Sequence, residues 1–232
     1  MPPSTRRADY RRYRALLTER PALFQGAADG VRILTDEDEI KAAERIIARR
    51  NRQRGLPPAS ASVGVLAEDS WVLFLRDAIR FPDGSLGTHN RVIYSNLKGV
   101  GILAVSAGRI ALIRIFRHAM GRWLLEIPRG AVEDGDSLET TVRREVAEEI
   151  GAIVTRMVPL GQTVSDTSLC NGLLDLYYAE IGAVGAPQLS EGIAAVHLVT
   201  PAEFEDLLRR GEMVDGHAIA AFTQARLRGL LP

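Results

Sequence analysis

Residues 130–152 read GAVEDGDSLETTVRREVAEEIGA, and this stretch constrains the fold more than any other. Its spacing predicts one helix from Ser137 to Ile150, with Ser137 as N-cap, acidic Asp136 and Glu139 near the positive end, and Gly151 as terminator. At about 100° per residue, Leu138, Val142, Val146 and Ile150 fall at roughly 0°, 40°, 80° and 120°. Such a stripe needs a sheet to bury it. Glu145, Glu149 and Glu148 fall at about −20°, 20° and −80°, an acidic strip along the edge of the buried face.

That strip is unfavourable by itself. Glu145 and Glu149 form a like-charge i,i+4 pair, which costs about 0.2–0.5 kcal/mol in solvent and more once desolvated. No Lys or Arg sits four residues beyond any of the three, and Arg144 precedes Glu148 in the weaker order for a helical ion pair. Two readings follow: a solvated acidic face, or carboxylates one turn apart that grip a hard divalent cation. Gly130 and Gly135 bracket a tight loop between the expected strand Trp123 to Ile127 and the helix, a mouth where phosphate oxygens meet backbone amides.

The rest of the chain supplies the sheet. Runs at Val100 to Val105, Ile110 to Phe116, Trp123 to Ile127, Leu174 to Ala179 and Ala195 to Val199 read as strands, with a turn at Gly108. Pro201 to Arg210 and His217 to Arg228 read as closing helices. Upstream, Tyr10, Tyr13, Leu16 and Leu17 recur at helical spacing in a basic stretch with Arg6, Arg7, Arg11, Arg12, Arg14 and Arg20, ended by Pro21. A second helix is expected from an N-cap at Thr35, with acids at 36–39 and arginines at 49, 50, 52 and 54. Strand-like runs at Val63, Val65, Trp71 to Leu75 and Val92 to Tyr94 follow, with a turn at Pro82-Asp83-Gly84. The expected fold is therefore α+β, an α/β/α sandwich on a mixed central sheet. Residues 1–58 form a helical N-terminal extension, 59–98 add antiparallel strands, and 99–232 form the main domain.

Twenty-nine basic and twenty-nine acidic residues cancel, so no global field draws the chain to nucleic acid. A charged start without an apolar core segment, and arginines inside the most apolar run, lead to the expectation of neither a signal peptide nor a membrane span. One cysteine, Cys170, allows no internal disulfide and no thiol zinc site; amid leucines it is expected to be a buried structural thiol. The default location is the cytoplasm.

Gly130, Asp136, Arg144, Glu145, Glu148, Glu149 and Gly151 resemble the Nudix box, with Asp136 where the family usually has Glu. Upstream, Ile113 to His118 and Trp123 to Gly130 resemble the approach to the box in ADP-ribose pyrophosphatase-like members. The resemblance implies a Nudix fold and a Mg²⁺-dependent hydrolase (Mn²⁺ as the alternative ion) that cleaves a nucleoside diphosphate derivative, ADP-ribose or another nucleotide sugar. It implies Glu145, Glu148 and Glu149 as metal ligands with the Arg129 backbone carbonyl. Arg117, Glu126 and Gly130 would lie near substrate, and Glu191, in a later loop, would be the general base. It also implies a homodimer to which the strands of 59–98 contribute. A dinucleoside polyphosphate hydrolase and a non-catalytic nucleotide-binding regulator are the alternatives, and Thr163 to Ser168 replaces the Ser-Pro-Gly-type segment usual after the box. His118 and His197 are expected as core or edge residues, and His89 and His217 carry no assignment.

Overall fold

The computed structural model describes residues 3–27, 29–95 and 98–231. The side chains of Arg6 and Arg7 lie outside the described residues. The chain divides into two compact units, one made of residues 1–95 with 166–171, the other of 96–165 with 172–232.

The first unit packs two helices on a sheet. Helix α1 (Pro3–Glu19) and helix α2 (Glu37–Gln53) accompany β1 (Arg32–Ile33), β2 (Gly64–Glu68), β3 (Val72–Arg80) and β4 (Leu86–Tyr94). Strand β3 pairs antiparallel with each of the other three. Pro82 to Gly84 form the β3–β4 turn, closed by Gly84 N–H donating to Phe81 and Phe81 N–H to Ser85. The cap of α2 is Asp36 rather than Thr35: its carboxylate accepts from the Asp38 and Glu39 amides, each at 3.0 Å. A carboxylate caps as well as a hydroxyl does and brings charge to the positive helix end. Tyr13 and Leu16 from α1 join Ile40 and Ala43 from α2 and Leu73 and Leu75 from β3 in one apolar core. Beside it Tyr13 donates to buried Asp77 (2.7 Å), which also pairs with Arg91 at 2.6 Å. Cys170 is half-buried, not buried as its leucine neighbours suggested, and its Sγ lies 3.4 Å from the Asp166 carbonyl.

The second unit is the sandwich. Strands β5 (Lys98–Ser106), β6 (Arg109–Arg117), β7 (Arg122–Glu126), β8 (Arg129–Ala131), β9 (Val154–Val164), β10 (Leu173–Ile181) and β11 (Ile193–Val199) form one sheet with core order β11-β6-β5-β10-β9. The β5–β10 pair is parallel and the others antiparallel, so the sheet is mixed. Helix α3 (Leu138–Ile150) covers one face; α4 (Pro201–Arg209) and α5 (Gly216–Leu227) cover the other. Alternation along β5 shows why: Val100, Ile102 and Ala104 pack with Val142, Val146 and Ile150, while Leu103 and Val105 pack with Phe204 and Phe222. Of the expected helical stripe, Val142, Val146 and Ile150 are fully buried and Leu138 packs at its edge. His197 lies on edge strand β11, whereas exposed His118 sits in the β6–β7 turn rather than in a strand. No helix among the described residues is long and apolar enough to cross a membrane.

Candidate active site

The box helix starts and stops where its sequence dictates. Ser137 Oγ accepts from the Thr140 amide (3.1 Å), and Gly151 closes the helix in the left-handed region at φ 61°. A side chain at Gly151 would also strike the Ala186 backbone. The α3 axis is thus fixed at both ends, and its orientation places Glu145 and Glu149 against the sheet, each only 5% exposed. Glu148 stays half-buried.

Gly130 sits directly over Glu145, where a Cβ would overlap the carboxyl group. The preceding Arg129 donates its amide to Glu149 Oε2 at 2.9 Å. The β8 backbone and the α3 carboxylates therefore touch. Arg144 answers part of the repulsion despite its sequence order: Nη1 pairs with Glu145 (2.8 Å) and Glu148 (3.0 Å), and Nη2 donates to the Ala131 carbonyl (2.8 Å). The guanidinium reaches forward one turn and backward to the loop at once, so the weaker order does not prevent pairing. Asp136 lies 3.7 Å from Arg144 Nε, which is buried without a hydrogen-bond partner among the described residues.

Glu149 keeps the repulsion. Burial pushes its carboxyl up to about 8, opposed by the Arg129 amide and reinforced by the charges of Glu145 and Glu191. Burial also raises Glu145, against the pull of Arg144. Glu191, in the short 3₁₀ turn Leu189–Glu191, is thus near enough for its charge to act on both carboxyls.

A second charged group adjoins the first. Glu126, 2% exposed, takes Arg117 Nη2 at 2.5 Å and Arg129 Nη2 at 2.6 Å. Arg129 Nη1 lies 3.6 Å from Asp215, the buried N-cap of α5, which accepts from the His217 amide (3.1 Å) and the Ile127 amide (3.3 Å). His217 Nε2 is 3.2 Å from Ser165 Oγ, its Nδ1 is buried without a partner among the described residues, and burial lowers its pKa. The structure gathers Arg117, Glu126, Arg129, Gly130, Glu145, Glu148, Glu149 and Glu191 as neighbours, and adds Asp215 and His217. Sequence spacing points to neither. The one available signal was Asp215 before an expected helix start, a cap whose charge has a second use.

Among the described residues no three His, Cys, Asp or Glu side chains converge as a ready ligand set, because Arg144 draws Glu145 and Glu148 while the Arg129 amide draws Glu149. The donor chemistry nonetheless fits a hard divalent cation: three carboxylates, two of them buried, with no cation paired to Glu149 among the described residues. Bringing in positive charge relieves the buried pair.

A mixed sheet lies between helices, and the α3 carboxylates meet the β8 backbone at Gly130 and Arg129, on an α/β/α sandwich. The chain belongs to the NUDIX domain family, whose pattern it matches over residues 96–222. It is 30% identical over 154 residues to the ADP-ribose pyrophosphatase of Mycobacterium tuberculosis (strain ATCC 25618 / H37Rv), covering 62% of this chain and 72% of that protein. It is 33% identical over 97 residues to the ADP-sugar pyrophosphatase of Mus musculus (38% and 44% covered) and 28% identical over 109 residues to the ADP-ribose pyrophosphatase of Bacillus subtilis (strain 168) (47% and 57%). For these last two the match spans about half of the relative's length. A crystal structure of an ADP compounds hydrolase superposes with a TM-score of 0.63 at 19% identity, covering 72% of this chain and 92% of that one, and shares the fold.

Proposed function

We propose that this protein is a metal-dependent Nudix diphosphohydrolase that cleaves the diphosphate of ADP-ribose or another nucleotide sugar. The observation that carries this reading is the buried Glu145–Glu149 pair beneath Gly130, beside a guanidinium pair on Glu126. The names of its relatives, ADP-ribose and ADP-sugar pyrophosphatases, support the same substrate class.

A divalent cation (Mg²⁺, or Mn²⁺ in its place) held by Glu145, Glu148, Glu149 and the Arg129 carbonyl would neutralise the diphosphate and acidify a water. Arg117 and Arg129, fixed by Glu126, orient diphosphate oxygens through their remaining N–H groups. Glu191 takes the proton of the attacking water. Water oxygen bonds to phosphorus, the bridging P–O bond breaks, and two phosphomonoesters leave. We place the protein in the cytoplasm as a homodimer. The lone cysteine supports a reducing compartment.

Turnover of ADP-ribose with Mg²⁺, with product identification, tests the reading. Glu145→Gln is expected to lower turnover on the order of 100-fold or more. Unchanged Mg²⁺-dependent turnover in that variant would refute the metal assignment.

A further inference from the structure

Arg76, on β3 in the first unit, is half-buried and makes no ion pair among the described residues. Its Nε donates to Asn90 Oδ1 (2.8 Å) and its Nη1 to the Ser62 carbonyl (3.2 Å), both neutral acceptors. Its Nη2 has no acceptor among the described residues, and it is not sealed off from solvent. Burial alone pulls the Arg76 pKa down, with no carboxylate opposing it. A partly desolvated guanidinium without a counter-ion gains from any group that supplies negative charge.

The space beside it is polar. A cavity of about 400 Å³ is lined by Arg76 with Asn51, Ser60, Thr88, His89 and Asn90 among others, all from the first unit, whereas the box belongs to the second. Several donors remain uncommitted there. Asn90 spends its carbonyl oxygen on Arg76 and keeps its amide hydrogens, and Thr88 has its hydroxyl. His89 Nε2 donates to the Ser168 carbonyl (2.7 Å) and holds its ring in place. Ser60 Oγ is already spent, accepting from Asn51 Nδ2 and donating to the Pro57 carbonyl. The helix that walls the cavity is strongly cationic at this end: residues 45–54 contain five arginines and no acid. The helix dipole rewards a basic last turn, but that effect fades within a turn and leaves Arg45 unexplained. A local positive field over a cavity with an unpaired guanidinium favours an anion.

We propose that this cavity binds a phosphate-class oxyanion, with Arg76 as its charged anchor and Thr88 and Asn90 as neutral donors. The geometry suits one tetrahedral group: a planar fork with a free arm, flanked by donors on the neighbouring strand. Free inorganic phosphate and a phosphomonoester share this chemistry.

Calorimetric titration of the full chain in EDTA, at constant ionic strength, tests it with inorganic phosphate in one arm and ribose 5-phosphate in the other. Saturable one-site binding is expected in at least one arm, and the stronger arm identifies the source. Two variants localise it. Asn90→Asp retains an acceptor for Arg76 Nε and supplies the missing negative charge; Arg76→Met removes the charge. Both are expected to weaken binding about 10-fold or more while unfolding at or above the wild-type temperature. No saturable binding in either arm overturns the proposal, as does wild-type affinity in both variants. Binding confined to an oligonucleotide, with a steep salt dependence, also overturns it, because the arginines would then serve a nucleic-acid backbone.

Discussion

At the scale of single residues, Glu149 carries the cost that a bound cation would remove. Its folded pKa of about 8 lies above its ordinary 4.5, so the protonated carboxyl is the form the fold prefers. The metal-free protein is therefore relatively most stable below about pH 4.5 with respect to this group, and it loses that stability as pH rises to about 8. Glu149→Gln keeps an acceptor for the Arg129 amide and removes the charge. In EDTA the variant should exceed wild type by roughly 2 kcal/mol or more at pH 8.5 and by little at pH 4.5. Urea unfolding at the two pH values measures this, and a gap that does not widen with pH refutes it. Asp136 gives the opposite kind of test. It stops 3.7 Å from a buried, unsatisfied Arg144 Nε, so the shorter acid leaves unmet a donor that one more methylene would reach. Asp136→Glu should stabilise by about 1 kcal/mol in thermal unfolding; no gain means Arg144 is already satisfied by water. The box carboxylates were legible because helical spacing alone aligns them. The Arg144 contacts were not, since a long side chain reaches partners on either side of it that residue spacing ranks poorly.

Elements join residues that sequence distance hides. The N-terminus of α5 holds Asp215 against Ile127 and Arg129, nearly ninety positions earlier. The acid caps a helix and braces the segment whose amide holds Glu149. Asp215→Ala loses both roles and should destabilise by about 2–3 kcal/mol. Asp215→Asn keeps the cap and should recover about 1 kcal/mol of that, with the Arg129 contact still weakened. Equal loss in both variants, by chemical denaturation, would show that the charge and not the cap dominates. The helices were readable to within a residue or two, because their caps and stripes are local. Strand β9 is not legible in the sequence: Pro159 and Gly161 interrupt it, and its register against β10 shifts near them, so alternation breaks. Likewise β8 spans only Arg129–Ala131 and exists because β5 offers it an edge.

For the whole molecule, the two units have separate cores. The helices of the N-terminal stretch and the strands after them close around one shared set of side chains in the first. That unit still exposes large apolar surface at one end of its β3–β4 hairpin. Trp71 is 75% exposed, its carbonyl accepts from the Ser95 amide, and Tyr94, 39% exposed, is paired opposite Val72. Single exposed apolar residues are ordinary, but a tryptophan with a tyrosine at the same hairpin end matches the aromatic enrichment of association surfaces. The proposed homodimer would use these strands. Light scattering is then expected to give twice the chain mass at micromolar concentration, and Trp71→Lys should shift the equilibrium toward the single chain. Because the chain has two tryptophans and Trp123 is held under Arg114 at 4.4 Å in the second unit, emission offers an independent readout. Dilution should red-shift the wild type as Trp71 meets water, and Trp71→Phe should abolish the change. A single-chain mass at every concentration, with no spectral shift, removes the dimer and leaves that hairpin end as plain solvent-exposed surface.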